Sequence, residues 1–173
     1  GFSGKRPVLL VLGGSQGAAA LNRAVREQLE ALLQVVDIIH LTGRGKKDDR
    51  FRHGRYFQRE TVFEELEHLL AFADIVVSRA GAGAIAELAA LGKALLLVPL
   101  PGLAHHHQEE NARFLAAARA VLVLEQEELA RELVPTVRRL ADDRGKRAAL
   151  GDRLRGFGDT NAAEKIVNIL IAE

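Results

Sequence analysis

Val8-Leu9-Leu10-Val11-Leu12-Gly13-Gly14-Ser15-Gln16-Gly17-Ala18-Ala19-Ala20 runs from an unbroken apolar stretch through a glycine-rich turn into a helix-forming stretch. Five apolar residues without polar alternation fit a strand buried on both faces, as inside a parallel sheet. Glycines let backbone N–H groups approach an anion with no Cβ in the way, and the free N–H groups of the following helix start add partial positive charge. The segment therefore reads as the first strand, turn and helix of a phosphate-binding α/β domain.

The rest of the chain repeats this alternation. Residues 18–33 are rich in Ala, Leu, Glu and Gln and predict a helix. A second strand is expected over 36–41, a weaker third over 56–59, a short helix over 62–72 and a fourth strand over 74–77. Ser78-Arg79-Ala80-Gly81-Ala82-Gly83 then leads into a helix over 84–91 that stops at Gly92. A fifth strand lies within 93–100, a helix over 107–118 follows the break at Pro99-Leu100-Pro101-Gly102, and a sixth strand spans 121–124. Beyond it only helices are expected, over 127–140, 144–154 and 161–172, with Gly156-Phe157-Gly158 before the last. Strands alternating with helices give βαβ units, so the fold class is α/β, a Rossmann-like doubly wound parallel sheet of about six strands with a helical C-terminal tail.

Composition narrows the function classes. A chain of 173 residues, 48% hydrophobic, holds one well-filled core. Twenty-four Lys plus Arg against twenty-three Asp plus Glu leave a net charge of +1, which offers no overall field for nucleic acid or an anionic membrane. The local basic run of Arg44, Lys46, Lys47, Arg50, Arg52 and Arg55 is interrupted by Asp48 and Asp49 and reads as a solvated loop. With no cysteine, disulfides and Zn–thiolate sites are excluded. No apolar run reaches the ~20 residues of a spanning helix, and no transmembrane segment is expected. Methionine is absent throughout, Gly1 included, and the chain is expected to be part of a longer protein.

In doubly wound sheets ligands sit outside the carboxyl ends of the strands. That rule gathers Gly13 to Gly17, Thr42 and Gly43, Ser78 to Gly83 and Pro99 to Gln108 around one crevice. Two glycine-rich helix starts facing one space suit a diphosphate. The spacing Gly-Gly-x-x-Gly and the strand ending Leu41-Thr42-Gly43 do not match the dinucleotide fingerprint, and no Gly-Lys-Ser or Gly-Lys-Thr supplies a Walker loop. Glu87, one turn beyond Gly83, has two readings: a carboxylate that takes a ribose diol, or an acid stabilised by a helix dipole. Three consecutive residues, His105-His106-His107, point in different directions and make a poor metal site; His107 and Gln108 read better as polar contacts to ligand hydroxyls.

Gly13-Gly14-Ser15-Gln16-Gly17-Ala18, Ser78-Arg79-Ala80-Gly81-Ala82 through Glu87, and His107-Gln108-Glu109-Glu110-Asn111-Ala112 resemble, in order and spacing, the donor-binding half of the MurG family of glycosyltransferases. The similarity runs over 8–161. The resemblance implies one half of a GT-B fold, with 1–7 a linker remnant, 8–160 the UDP-sugar-binding domain and 161–173 a helix docking toward an N-terminal domain. It implies an inverting, metal-independent N-acetylglucosaminyltransferase that needs no cofactor and converts lipid I to lipid II in peptidoglycan synthesis. Gly14, Ser15, Gln16, Ala82, Gly83 and Ala84 would hold the diphosphate; Val62, Phe63 and Glu87 the uridine; His107 and Gln108 the N-acetylglucosamine. No catalytic residue is expected in this chain, because the family carries its acceptor site, membrane-facing patch and His base in the N-terminal domain. The partners implied are UDP-N-acetylglucosamine here and lipid I through that other domain, with no nucleic acid. The implied location is cytoplasmic, the full-length enzyme being peripheral on the cytoplasmic face of the inner membrane. Departures are Gly83 and Ala84, where many relatives carry a hydroxyl or a larger residue, and the absence of the family's Gly-Asn-Pro-Val-Arg run before the first strand. Two other classes remain open: a UDP-N-acetylglucosamine 2-epimerase on the same architecture, and a nucleotide-binding module without chemistry.

Overall fold

The structure, a computed structural model, describes residues 2, 4–14, 18–62, 64–102 and 106–158. The expectations for Ser15, Gln16, Gly17, Phe63, His105 and the helix over 161–172 lie outside the described residues. Six parallel strands form one sheet: β1 (Val8–Leu12), β2 (Asp37–Leu41), β3 (Tyr56–Arg59), β4 (Ile75–Ser78), β5 (Ala94–Leu97) and β6 (Leu122–Val123). Their order is β3-β2-β1-β4-β5-β6, with Leu10 opposite Ile39 on one side and Val76 on the other. The expected α/β architecture is present.

Alternate strand residues serve two cores. Leu9, Val11, Ile38, Ile75, Val77 and Leu96 face a layer made by α1 (Ala19–Glu27), α2 (Leu29–Leu33) and α6 (Leu129–Asp142). Val8, Leu10, Ile39, Val76, Leu95 and Leu97 face α3 (Leu66–Phe72), α4 (Ala82–Leu91) and α5 (His106–Ala117). The last described helix, α7 (Arg144–Arg155), gives Leu150 to the first core and Leu154 to the second. Apolar burial on both faces explains why the strands carry no alternation. Among the described residues no helix is long and apolar enough to cross a membrane.

Most element ends fall within two residues of the sequence reading, and the differences around Gln28, Leu66 and Ala82 each have a local reason. The single helix expected over 18–33 is broken at Gln28 (φ −108°, ψ 15°), whose amide donates to Ala24 O at 3.1 Å and to Leu129 O at 3.0 Å. That second bond ties the break to the start of α6. The helix expected from residue 62 begins only at Leu66, because Val62 turns its side chain against the core under α3 instead of taking a helical position. Conversely α4 starts at Ala82, two residues early: Gly81 is extended (φ −73°, ψ 139°) and its carbonyl accepts from Ile85 N at 3.0 Å. The expected stop at Gly92 holds, in the left-handed conformation at φ 59°.

A buried polar chain joins α1, β2 and β3 beneath the strand ends. Asn22 Nδ2 donates to Thr42 O at 2.8 Å, which leaves Asn22 Oδ1 to accept from His40 Nε2 at 2.9 Å. His40 Nδ1 then accepts from the Tyr56 hydroxyl at 2.8 Å. Every member is satisfied only while the imidazole is neutral. Burial first, and the Arg26 charge second, hold its pKa down to about 3 from 6.5, while burial pushes the Tyr56 phenol up to about 12.

This neutrality ties stability to pH. Between about 6.5 and about 3 the unfolded chain binds a proton that the folded chain refuses. The contribution of His40 is therefore complete above the upper value and is lost as the pH falls through that window, by up to about 1.4 kcal/mol per pH unit. Urea unfolding across this range is expected to show a shallower pH dependence in His40→Gln than in the parent; equal slopes would contradict the neutral network.

Candidate functional site

The carboxyl ends of β1, β2, β3 and β4 open into a cleft of about 780 Å³. Leu12, Leu41, Val62 and Leu66 are its apolar lining, and Gly14, Ser78, Gly81 and Ala84 supply small residues and backbone. Arg44, Glu60, Thr61, Arg79, Glu87 and Gln108 bring the polar groups. The lining thus combines apolar surface with small residues, backbone and a few polar groups, which suits a ligand with a flat base and a charged linker.

Two glycine-containing turns border the cleft. Gly13 passes so close to β2 that its N–H donates to Leu41 O at 2.9 Å and an added Cβ would stand 2.9 Å from that same oxygen and 3.2 Å from Thr42 O. Gly14 takes φ +70°, with open space where a side chain would be. This pair sends the chain sharply from β1 into α1. At α4 the reasons differ. Neither Gly81 nor Gly83 has a positive φ, and a Cβ at either would meet nothing within 4 Å. No side chain caps α4; Ala82 and Gly83 of its first turn are exposed and the partly buried Ala84 lines the cleft, so the N–H groups that a helix start leaves without intrahelical partners lie beside it.

The polar walls are held unevenly. Arg79 is engaged by the fold: its guanidinium donates to Val98 O and Pro99 O, both at 3.1 Å, and to Gln126 Oε1 at 2.7 Å. Burial lowers its pKa, and these bonds pin the turn after β5 over the cleft. Asn111 Nδ2 donates to Ala80 O at 3.1 Å and fastens α5 to the loop before α4. Gln108 Oε1 accepts from Leu100 N at 3.2 Å, which leaves its amide protons without a partner among the described residues. Glu87 is exposed and makes no hydrogen bond or ion pair among the described residues. A carboxylate with both oxygens open can take two hydroxyls at once.

Of the residues singled out from the sequence, the cleft lining brings together Gly14, Val62, Ala84, Glu87 and Gln108. Ala82 and Gly83 stand exposed in the same first turn of α4. His107 does not line the cleft; it is exposed and faces Glu110 at 3.8 Å, as His106 faces Glu109 at 3.7 Å. Thr42, expected at the crevice, is fully buried beneath it, its hydroxyl donating to Arg59 O at 3.2 Å. Arg44 is the reverse case. Read as part of a solvated basic loop, it lines the cleft instead. Glu60, Thr61 and Leu66 were also missed; Arg44 could have been found, since it directly follows Thr42-Gly43 at the end of β2.

Comparison with known proteins agrees with this geometry. The description "Glycosyltransferase family 28 C-terminal domain" matches residues 8–166. A relative from Geobacillus kaustophilus, named UDP-N-acetylglucosamine--N-acetylmuramyl-(pentapeptide) pyrophosphoryl-undecaprenol N-acetylglucosamine transferase, is 47% identical over 148 residues, covering 84% of this chain and 42% of that protein. A relative of the same name from Lachnoclostridium phytofermentans is 39% identical over 173 residues, covering 98% of this chain and 48% of its own length. The chain therefore spans just under half the length of these curated relatives. Among solved structures, MurG of Acinetobacter baumannii superposes with a TM-score of 0.77 at 26% identity, over 99% of this chain and 51% of the other. The calicheamicin glycosyltransferase CalG4, at TM-score 0.69 and 20% identity, covers 96% of this chain and 44% of its own and shares the fold.

The glycines of the two turns predict opposite responses to one methyl group. Gly13→Ala pushes a Cβ into backbone oxygens and is expected to cost about 1–3 kcal/mol of stability. Gly83→Ala, in open space and helical, is expected to add about 0.4–1 kcal/mol. Urea unfolding of both variants reads the two signs, and a shared sign would contradict the division between a packing glycine and an unpacked one.

Proposed function

The chain belongs to glycosyltransferase family 28, whose C-terminal domain it matches, and from that membership we propose that it is the donor-binding half of a transferase that moves N-acetylglucosamine from UDP-N-acetylglucosamine to lipid I, forming lipid II. The observation that carries the reading is one cleft in which Gly14 at the end of β1, the uncapped start of α4 and the unpartnered carboxylate of Glu87 meet above an apolar slot.

In this reading the uracil lies against Val62 and Leu66, with backbone at Val62 and Phe63 reading its edge. Glu87 accepts both ribose hydroxyls. The diphosphate lies between Gly14, Ser15 and Gln16 on one side and Ala82, Gly83 and Ala84 on the other. Gln108 turns its free amide protons to the sugar hydroxyls, with His107 at the outer edge. The acceptor C4 hydroxyl attacks the anomeric carbon, a new C–O bond forms as the bond to the β-phosphate oxygen breaks, and the configuration inverts. The electron pair leaves with UDP. N–H groups aimed at the diphosphate are most valuable at that moment, because they are already oriented when the charge grows. The acceptor and the base that takes its proton belong to an N-terminal domain against which 161–173 docks, and the whole enzyme lies at the cytoplasmic face of the membrane.

Glu87 is the direct test. Glu87→Ala is expected to weaken UDP binding by about 1.5–3 kcal/mol, the worth of charge-assisted hydrogen bonds to a diol. Calorimetric titration with UDP measures it. An unchanged affinity would return Glu87 to the role of a dipole-stabilised surface acid, and failure of the parent chain to bind UDP or UDP-N-acetylglucosamine would overturn the donor-site reading.

A further inference from the structure

Arg44 stands on a turn whose backbone is anchored on both sides of it. Gly43 N donates to Glu60 O at 2.8 Å, Gly45 N to Glu60 Oε2 at 2.9 Å and Lys46 N to Gly43 O at 3.1 Å. The two glycines flanking Arg44 take φ +89° and +67°, conformations that a β-carbon disfavours, so the sequence Gly-Arg-Gly fixes where the arginine is presented. Farther along, Lys46 O accepts from Arg26, which ties the turn to α1.

The neighbouring cations are engaged. Lys47 pairs with Asp49 at 2.9 Å, Arg50 with Asp48 at 2.7 Å, Arg52 with Asp49 at 3.4 Å and Arg55 with Asp37 at 3.7 Å. Arg44 makes no ion pair or hydrogen bond among the described residues, is exposed, and lines the cleft. The other cation of that lining, Arg79, already donates to two carbonyls and an amide of its own fold. Arg44 is therefore the one cleft cation, among the described residues, whose guanidinium is open to a ligand.

Charge balance says what it is open for. Each helix start offers about half a positive charge, so α1 and α4 together supply about one. A diphosphate bridging a nucleoside and a sugar carries about two negative charges, and the released nucleoside diphosphate about 2.5–3, its terminal phosphate having gained most of a second charge. Of the lining side chains other than Arg44, the carboxylates of Glu60 and Glu87 outweigh the single charge of Arg79 and deepen the deficit. Resting on the donor-site reading, we propose that Arg44 binds the diphosphate of the donor and holds the leaving nucleoside diphosphate more strongly than the intact donor, as a positive charge supplied by the protein.

The experiment compares ligands as well as variants. UDP, UDP-N-acetylglucosamine and uridine are titrated into the full 173-residue chain and into Arg44→Gln and Arg44→Lys. Arg44→Gln is expected to lose affinity for UDP by about 10- to 100-fold, to lose less for UDP-N-acetylglucosamine, and to keep uridine within about twofold. Arg44→Lys restores most of the loss, and the UDP affinity of the parent falls more steeply with salt than that of Arg44→Gln. An unchanged UDP affinity in Arg44→Gln, or a loss for uridine as large as for UDP, overturns the assignment while leaving the donor site in place. A parent chain that binds neither nucleotide overturns both. Circular dichroism and melting of the variants, expected to match the parent because the side chain is exposed and unbonded, separate either result from unfolding.

Discussion

β1 lies between β2 and β4, so the chain leaves it toward one edge of the sheet, through β2 and β3, and later returns to the other side to lay down β4, β5 and β6. The loops that follow β1 and β4 therefore diverge, and the space between them has no strand connection to fill it. Everything proposed for function depends on that opening. It leaves Gly14, at the end of β1, and the start of α4 beside one cleft, with Arg44 of the β2–β3 loop in the same lining. The close passage of Gly13 over the end of β2 keeps the opening narrow, since its N–H bonds Leu41 O where any side chain would collide.

The rims are supported from below and behind. Under the β2 rim, Asn22, His40 and Tyr56 form a closed polar chain that holds the carbonyl of Thr42, one residue before Gly43 begins the turn that carries Arg44. Behind α4, backbone meets backbone: a Cβ on Gly151 of α7 would collide with Gly92 O, and one on Gly158 would stand 2.7 Å from Ala90 N. Only glycine allows that approach. The helix that offers its N–H groups and Glu87 to the cleft is thereby braced along its far end by α7, the last described helix before the C-terminal segment. Arg79 and Asn111 tie the remaining rim to β5, α5 and the 3-10 turn Gln126–Glu128.

Much of this was legible in the sequence because the strands are continuous apolar runs between glycine and proline signals, a pattern that needs no choice of face. The same logic located the two glycine-rich turns, Glu87 and Gln108. It failed where a residue's role is set by a partner far along the chain. Gln28 reads as a good helix former, yet its amide reaches Leu129, 101 residues away, and the helix breaks there. Val62 has the spacing of a helix face but packs as loop against the sheet core. Gly83 reads as a turn residue, while its φ leaves it free to join α4. Arg44 shares its composition with five basic neighbours, and its place in the cleft lining and the ion pairs of Lys47, Arg50, Arg52 and Arg55, visible only in three dimensions, distinguish it. His40 carries no sequence signal at all, since its neutrality follows from burial and from the charge of Arg26 on another element.

The central claim is spatial: one ligand touches the end of β1, the start of α4 and Glu87 together. Amide chemical-shift mapping of the isotopically labelled chain during titration with UDP-N-acetylglucosamine tests it most directly. The account predicts that the largest saturable shifts fall on Gly14, on Ala82, Gly83 and Ala84, and on Glu87, with smaller ones near Val62 and Gln108. Saturable shifts confined to the basic surface around Arg23, Lys47 and Arg50, or no saturable shift at any concentration reached, would contradict it.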